Sequence, residues 1–162
     1  MPQYLNVLKN PSWDIALFLA FSAIIFFWGM SRGKNKIGIS ILALYVMNVV
    51  FPYIPLGFLI SGRSILEIFI IKSILFTVLL LLIALLLIRS FKNGSAGSTG
   101  NWWQILILCI LIAGFFMASV LRLADPVLIS KNIIGLSPVA IKWFFTERII
   151  WFILPILGVM FI

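Results

Sequence analysis

The sequence predicts an all-α, polytopic membrane protein. It has four transmembrane helices and a C-terminal apolar helix that is interfacial, re-entrant or a fifth membrane helix. Three observations carry this reading. Hydrophobic residues make up 64% of the 162 positions, against roughly 45–50% in soluble domains even when Gly is counted. Charged residues are only 10%, against about 25% in soluble domains, so lipid must be the solvent for most of the surface. The apolar runs are continuous, unlike the alternating segments of about 10 residues in a membrane β-barrel. A helix satisfies its backbone within itself in lipid, whereas a lone strand does not. The whole chain, 1–162, reads as a single membrane domain.

The first span covers about 13–31. Asn10-Pro11-Ser12 is a turn before it, with Ser12 placed to cap the helix. Only Lys9 precedes the run and no Ala-x-Ala site ends it, so it is expected to persist rather than be cleaved. Trp13 and Trp28 mark its two interfaces. Arg32-Gly33-Lys34-Asn35-Lys36 is a tight link to the second span, 37–53. Pro52 and Pro55 kink or stop that helix, since each lacks a backbone donor.

The third span, 65–88, is the most apolar and is interrupted only by Glu67, Lys72, Ser73 and Thr77. A Gly/Ser-rich, flexible run from Asn93 to Asn101 separates it from the fourth span, 102–121, which opens on Trp102-Trp103. Asp125-Pro126 is a turn signal, and Ser137-Pro138 is an N-cap with proline at the first helical position. The segment 138–162 is long enough to span. Lys142, Glu147 and Arg148 interrupt it, and Pro155 is expected to break its second half. With Lys142, Trp143 and Trp151 as headgroup-level anchors, a surface or partly inserted helix is the favoured placement.

Net charge is +8, from 12 Lys and Arg against 4 Asp and Glu. The basic residues sit at the ends of apolar runs. The expected partner is therefore a bilayer with anionic headgroups, not nucleic acid. A homo-oligomer or other membrane proteins are the further partners expected. The links at Arg32 to Lys36 and at Arg89 to Asn101 fall on one side if the intervening helices cross. Their Lys and Arg make that side cytoplasmic, which puts the N-terminus outside a multi-pass cytoplasmic membrane protein.

Catalytic chemistry has little to stand on. There is no His, the single Cys109 lies inside an apolar run, and the four carboxylates fall in separate segments. The Gly94 to Gly100 stretch lacks a phosphate-loop lysine. The expectation is a protein with no catalytic, cofactor-binding or metal-binding residues. Charges within apolar segments remain candidates for function because they are costly there. Glu67 and Lys72 read either as an interfacial charge pair or as a buried pair on a polar path. Glu147 and Arg148 face water if the last segment lies on the surface, and need partners if it crosses. Asp14 favours the dipole of the first helix. Asn48, Ser73 and Thr77 can bond between helices, and the small pairs Ala16/Ala20, Gly29/Gly33 and Gly114/Ala118 permit close helix approach.

An early aspartate opening the first span (Asp14-Ile15-Ala16), a basic-Gly pair closing it (Arg32-Gly33) and an apolar helix following at once from Ile37 resemble the colicin V production protein family. Chain length, the polar break before the fourth span and an amphipathic C-terminal segment fit the same layout. The resemblance is specific over about 13–45. It implies a small bacterial inner-membrane protein linked to toxin export or envelope maintenance, with no catalytic site to carry over. The alternative is a small oligomeric transporter or channel with Glu67, Lys72 or Glu147 on its pathway.

Overall fold

A computed structural model describes residues 13–91, 101–130 and 135–161. The expected cap at Ser12 and the expected flexible run after Lys92 lie outside these residues. Among the described residues the chain is helical, and four helices are long and apolar enough to cross a membrane. They are α1 (Trp13–Arg32), α2 (Lys34–Val50), α4 (Ile65–Ser90) and α5 (Trp102–Arg122). A 20-residue helix such as α1 is about 30 Å long, matching the hydrocarbon core of a bilayer.

The links follow from local chemistry. Gly33 joins α1 to α2 at φ 86, a backbone region that glycine enters without steric cost. After α2 comes a 3-10 turn at Phe51–Tyr53 with Pro52 inside it, where the two prolines predict the helix to stop. The short α3 (Gly57–Ile60) leads to Ser64, which opens α4 with a capping box. The Ser64 hydroxyl accepts the Glu67 backbone N–H at 3.3 Å, and the Glu67 carboxylate accepts the Ser64 N–H at 3.0 Å. Ser-x-x-Glu before an apolar run is the sequence signature of this arrangement.

The centre of the bundle is α5, with 67% of its spanning window buried, against 6% for α4. Small side chains explain its position: Cys109, Ala113, Gly114, Ala118 and Ser119 are all buried on it. In lipid, close backbone approach through such residues replaces the hydrophobic driving force. Helix α1 runs antiparallel to α5, with Phe21 stacked on Phe116 at 4.8 Å. A Cβ on Gly29 would come within 3.2 Å of Ile105 and 2.6 Å of Ile37. Helix α2 runs parallel to α5, with Tyr45 against Phe115 at 4.5 Å. Helix α4 packs mainly on α2 and presents Ile74, Val78, Leu81 and Leu85 outward, as a lipid-facing surface does.

After α6 (Pro126–Ser130) the chain enters a bent pair. Helix α7 (Pro138–Ala140) continues as a π-helical stretch, Ile141–Thr146, and α8 (Arg148–Phe161) follows at 65°. The break falls at Glu147, where the sequence places its charges, and not at Pro155. Pro155 lies buried inside a continuous α8, which corrects the expected break there. Within a membrane bundle, neighbouring helices can satisfy the carbonyls a proline frees. The Tyr45 hydroxyl ties α2 to this helix by donating to the Phe152 carbonyl, whereas the carbonyl that Pro155 leaves without its i+4 donor is that of Trp151.

Contacts place the two ends of this pair at opposite ends of α1. Ser137 meets Asp14 in the first turn of α1, while Val159 shares a cavity with Lys34 and Asn35 beyond its last turn. Between these points Trp151 abuts Gly114, and Leu111 lies 2.6 Å from a Cβ position on Gly158. The pair seats against α5 at Gly114 and Gly158 and forms a broken span or a re-entrant segment, both among the placements expected.

Candidate functional site

The polar groups inside the bundle fall into separate stations. At the first, Asp14 is buried to 1% exposure. One carboxylate oxygen accepts the Ile15 N–H at 2.9 Å. The other accepts the backbone N–H of Ser137 at 2.9 Å and its hydroxyl at 2.7 Å. The same Ser137 oxygen accepts the Ala140 N–H at 3.1 Å, capping α7. Asp14 therefore stands at the positive ends of two helices, its own and that of the C-terminal pair. The dipole role expected for Asp14 concerned α1 alone. Its tie to a residue 123 positions away leaves no trace in local sequence.

Lower in the bundle, the Asn48 amide donates to the Ser119 hydroxyl at 2.8 Å and to the Leu44 carbonyl at 2.9 Å. Ser119 in turn donates to Phe115 O at 2.7 Å. Ser73 and Thr77 donate to carbonyls of their own helix, Phe69 and Ser73 respectively. They do not bridge helices as expected, because a hydroxyl four residues on reaches its own helix's carbonyl first.

Glu67 and Lys72 are not paired with each other. Glu67 is exposed and engaged in the cap, whereas Lys72 is half-buried. Lys72 borders a cavity of about 340 Å³ with Asp125, Phe69 and Leu123. Five-residue spacing turns their side chains to different sides of α4. Asp125 itself accepts the Val127 N–H at 2.9 Å.

Glu147 and Arg148 form the break of the C-terminal pair. The Glu147 N–H donates to Lys142 O at 2.9 Å, closing the π-helical turn. The Arg148 guanidinium lies 5.8 Å from the Phe145 ring centre. Glu147 is half-buried and Arg148 exposed. Beside them Trp151 is wedged, stacked on Phe144 at 5.3 Å with its indole N–H donating to Trp143 O at 2.9 Å. Trp151, expected as a headgroup-level anchor, is instead buried against Gly114 of α5, and Ser119 had no reading in the sequence. The adjacent small residues of α5 are the signal that marks where such groups dock.

The small-residue pairs divide. Gly29, Gly114 and Ala118 lie at close helix contacts. Ala16 and Ala20 are exposed on α1 among the described residues. Gly33 serves the link, with nothing within 4 Å of its Cβ position, because the turn needs its positive φ and not its size. Cys109 is a buried free thiol.

These stations do not converge. Asp14, Glu67 and Asp125 lie at one end of the bundle, with Glu147 at the bend, and Lys34, Lys36 and Arg89 lie at the other end. Among the described residues no three potential metal ligands come together. Comparison with known protein families, with curated proteins and with solved structures finds no match. The chain is a multi-span helical membrane protein.

Proposed function

We propose that this chain is a non-catalytic component of the bacterial cytoplasmic membrane that acts by assembling with partners in the bilayer. Its setting is the toxin export or envelope maintenance implied by the resemblance to colicin V production proteins, with the N-terminus outside. The supporting observation is the dispersal of its intramembrane polar groups. Asp14 and Ser137 tie α1 to the C-terminal pair, Asn48 and Ser119 tie α2 to α5, and Glu67 caps α4. Each holds the scaffold together. A pathway needs such groups to line one route.

The rival is a small oligomeric transporter using Glu67, Lys72 or Glu147. Flux into proteoliposomes of purified protein, compared with Glu67→Gln and Glu147→Gln variants, separates the two. The expected result is no flux above protein-free vesicles, together with a membrane protein that copurifies with the wild-type chain at fixed stoichiometry. Flux abolished by either variant would overturn the proposal.

A further inference from the structure

The cavity beside the start of α4 carries an inference that stands independently of the assembly reading. It measures about 340 Å³ and lies between the first turns of α4 and the turn that follows α5. That is the lower end of the roughly 300–1,000 Å³ of small-molecule sites. Ile65, Ile68 and Phe69 line it from α4, and Leu123 lines it from the end of α5. Two side chains of opposite charge share it, Lys72 and Asp125.

Neither charge is used up by the fold. One Asp125 carboxylate oxygen accepts the Val127 N–H at 2.9 Å, and the other accepts no bond among the described residues. The Lys72 ammonium makes no hydrogen bond or ion pair among the described residues, with Asp125 or with any other group. Glu67, one turn earlier, is committed to the Ser64 N–H. Arg63 and Arg122, at the same end, are exposed.

The two charges enter at different depths. Lys72 is seven residues beyond Ile65, about 10 Å along α4, whereas Asp125 lies past the last turn of α5. A helical side chain points back toward the start of its helix, so the Lys72 stem rises from within the apolar run toward the mouth where Asp125 stands. An ethanolamine phospholipid carries its charges in the same order, a phosphate next to the acyl chains and an ammonium beyond it. Ile65, on the cavity wall, is 44% exposed on the helix with only 6% of its span buried. The cavity therefore opens beside the surface that meets the acyl chains.

We propose that this cavity binds the headgroup of one phosphatidylethanolamine, with its phosphate on Lys72, its ammonium on the open Asp125 oxygen and its acyl chains on the lipid-facing surface of α4. A glycerol headgroup has no cation for Asp125, and a choline headgroup has no N–H to donate to it.

Native mass spectrometry of the full chain, purified in detergent with equal phosphatidylethanolamine, phosphatidylglycerol and phosphatidylcholine, tests this. The wild type should retain one phosphatidylethanolamine in preference to either other lipid. Asp125→Asn keeps an oxygen for the Val127 N–H but removes the charge. It should lower the preference over phosphatidylglycerol about fivefold, the upper range for an exposed ion pair. Lys72→Met suits an apolar helix but removes the partner of the phosphate, and should lower phosphatidylethanolamine retention about fivefold. Helicity by circular dichroism should be unchanged in both. Asp125 is exposed, so its variant covers a Lys72→Met chain that fails to fold. Equal retention of the three lipids, indicating annular lipid only, overturns the proposal, as does a preference for either of the other two. So does undiminished retention in folded Lys72→Met or an unchanged preference in folded Asp125→Asn. Glycerophosphoethanolamine, the same headgroup without acyl chains, should not be retained at the same concentration; its retention overturns the lipid assignment in favour of a free zwitterion.

Discussion

Gly114→Ala adds one carbon at the point where the C-terminal pair seats on α5. The new Cβ would stand 1.9 Å from one Trp151 ring carbon and 2.1 Å from another, well inside contact distance. The indole has nowhere easy to go. Phe144 stacks on it, Phe18 meets it edge-on at 6.4 Å, and its N–H is committed to Trp143 O at 2.9 Å. Overpacking of this kind costs about 1–3 kcal/mol, and displacing the ring forfeits a hydrogen bond worth about 1 kcal/mol. Alanine returns up to about 1 kcal/mol through helix propensity. The net loss is about 1–3 kcal/mol, enough to shift the docked fraction of the pair by a factor of about 5–30 or more.

The assay is thermal unfolding of the purified protein in detergent, together with maleimide labelling of a cysteine placed at Phe144 in a Cys109→Ser background. Gly114→Ala should lower the unfolding temperature and speed the labelling. Trp151→Leu should relieve the clash, so that the double variant loses less than the two single effects added together. Equal stability and equal labelling in Gly114→Ala and wild type would refute the argument that this contact seats the pair.

Cysteines at Ser130 and Ile162 should label from opposite sides of sealed membranes, because the pair runs from the Asp14 end of α1 to the Lys34 end; labelling from the same side would return the segment to one face. Cysteines at Lys34 and Ser95 should both be shielded from outside reagent in intact cells, and labelling of both from outside would reverse the proposed orientation. Ser119→Ala should cost about 0.6 kcal/mol in unfolding stability in lipid, the average for a polar bond between membrane helices. Ser64→Ala should cost about 1 kcal/mol through the lost cap of α4, visible as faster hydrogen exchange in residues 65–68.

The long helices were legible because length and hydropathy are one-dimensional quantities. The observed boundaries fall within about three residues of the expected ones, and the prolines at 52 and 55 end α2 for the reason the sequence offers. The C-terminal break was legible as an interruption at Glu147 and Arg148. The second break expected, at Pro155, does not form. Proline disrupts a helix by leaving a carbonyl without its donor, and that penalty depends on the surroundings. Here α8 stays continuous through Pro155, which is buried in the bundle. A local rule fails there because its energetic premise depends on surroundings that the neighbouring sequence does not display.

The polar side chains divide along the same line. Ser64 and Glu67 are three apart, a spacing that marks a capping box locally, although Glu67 reads in the sequence as half of a pair with Lys72. Asp14 and Ser137 are 123 apart, and each has a complete local explanation, as a first-turn acid and as an N-cap. Those local roles are compatible with the joint one. A carboxylate near one helix start and a hydroxyl at another are each favourable by themselves, and together they satisfy both dipoles with one buried charge. A buried acid is costly unless its oxygens are occupied, and here both are. Asp14→Asn would keep the shape but lose the charge facing two positive helix ends, and its amide nitrogen could not accept from Ser137. The loss should therefore appear at the C-terminal pair as well as in α1, as faster hydrogen exchange at residues 139–141. Exchange confined to α1 would reduce Asp14 to the single-helix role that its position in the sequence displays.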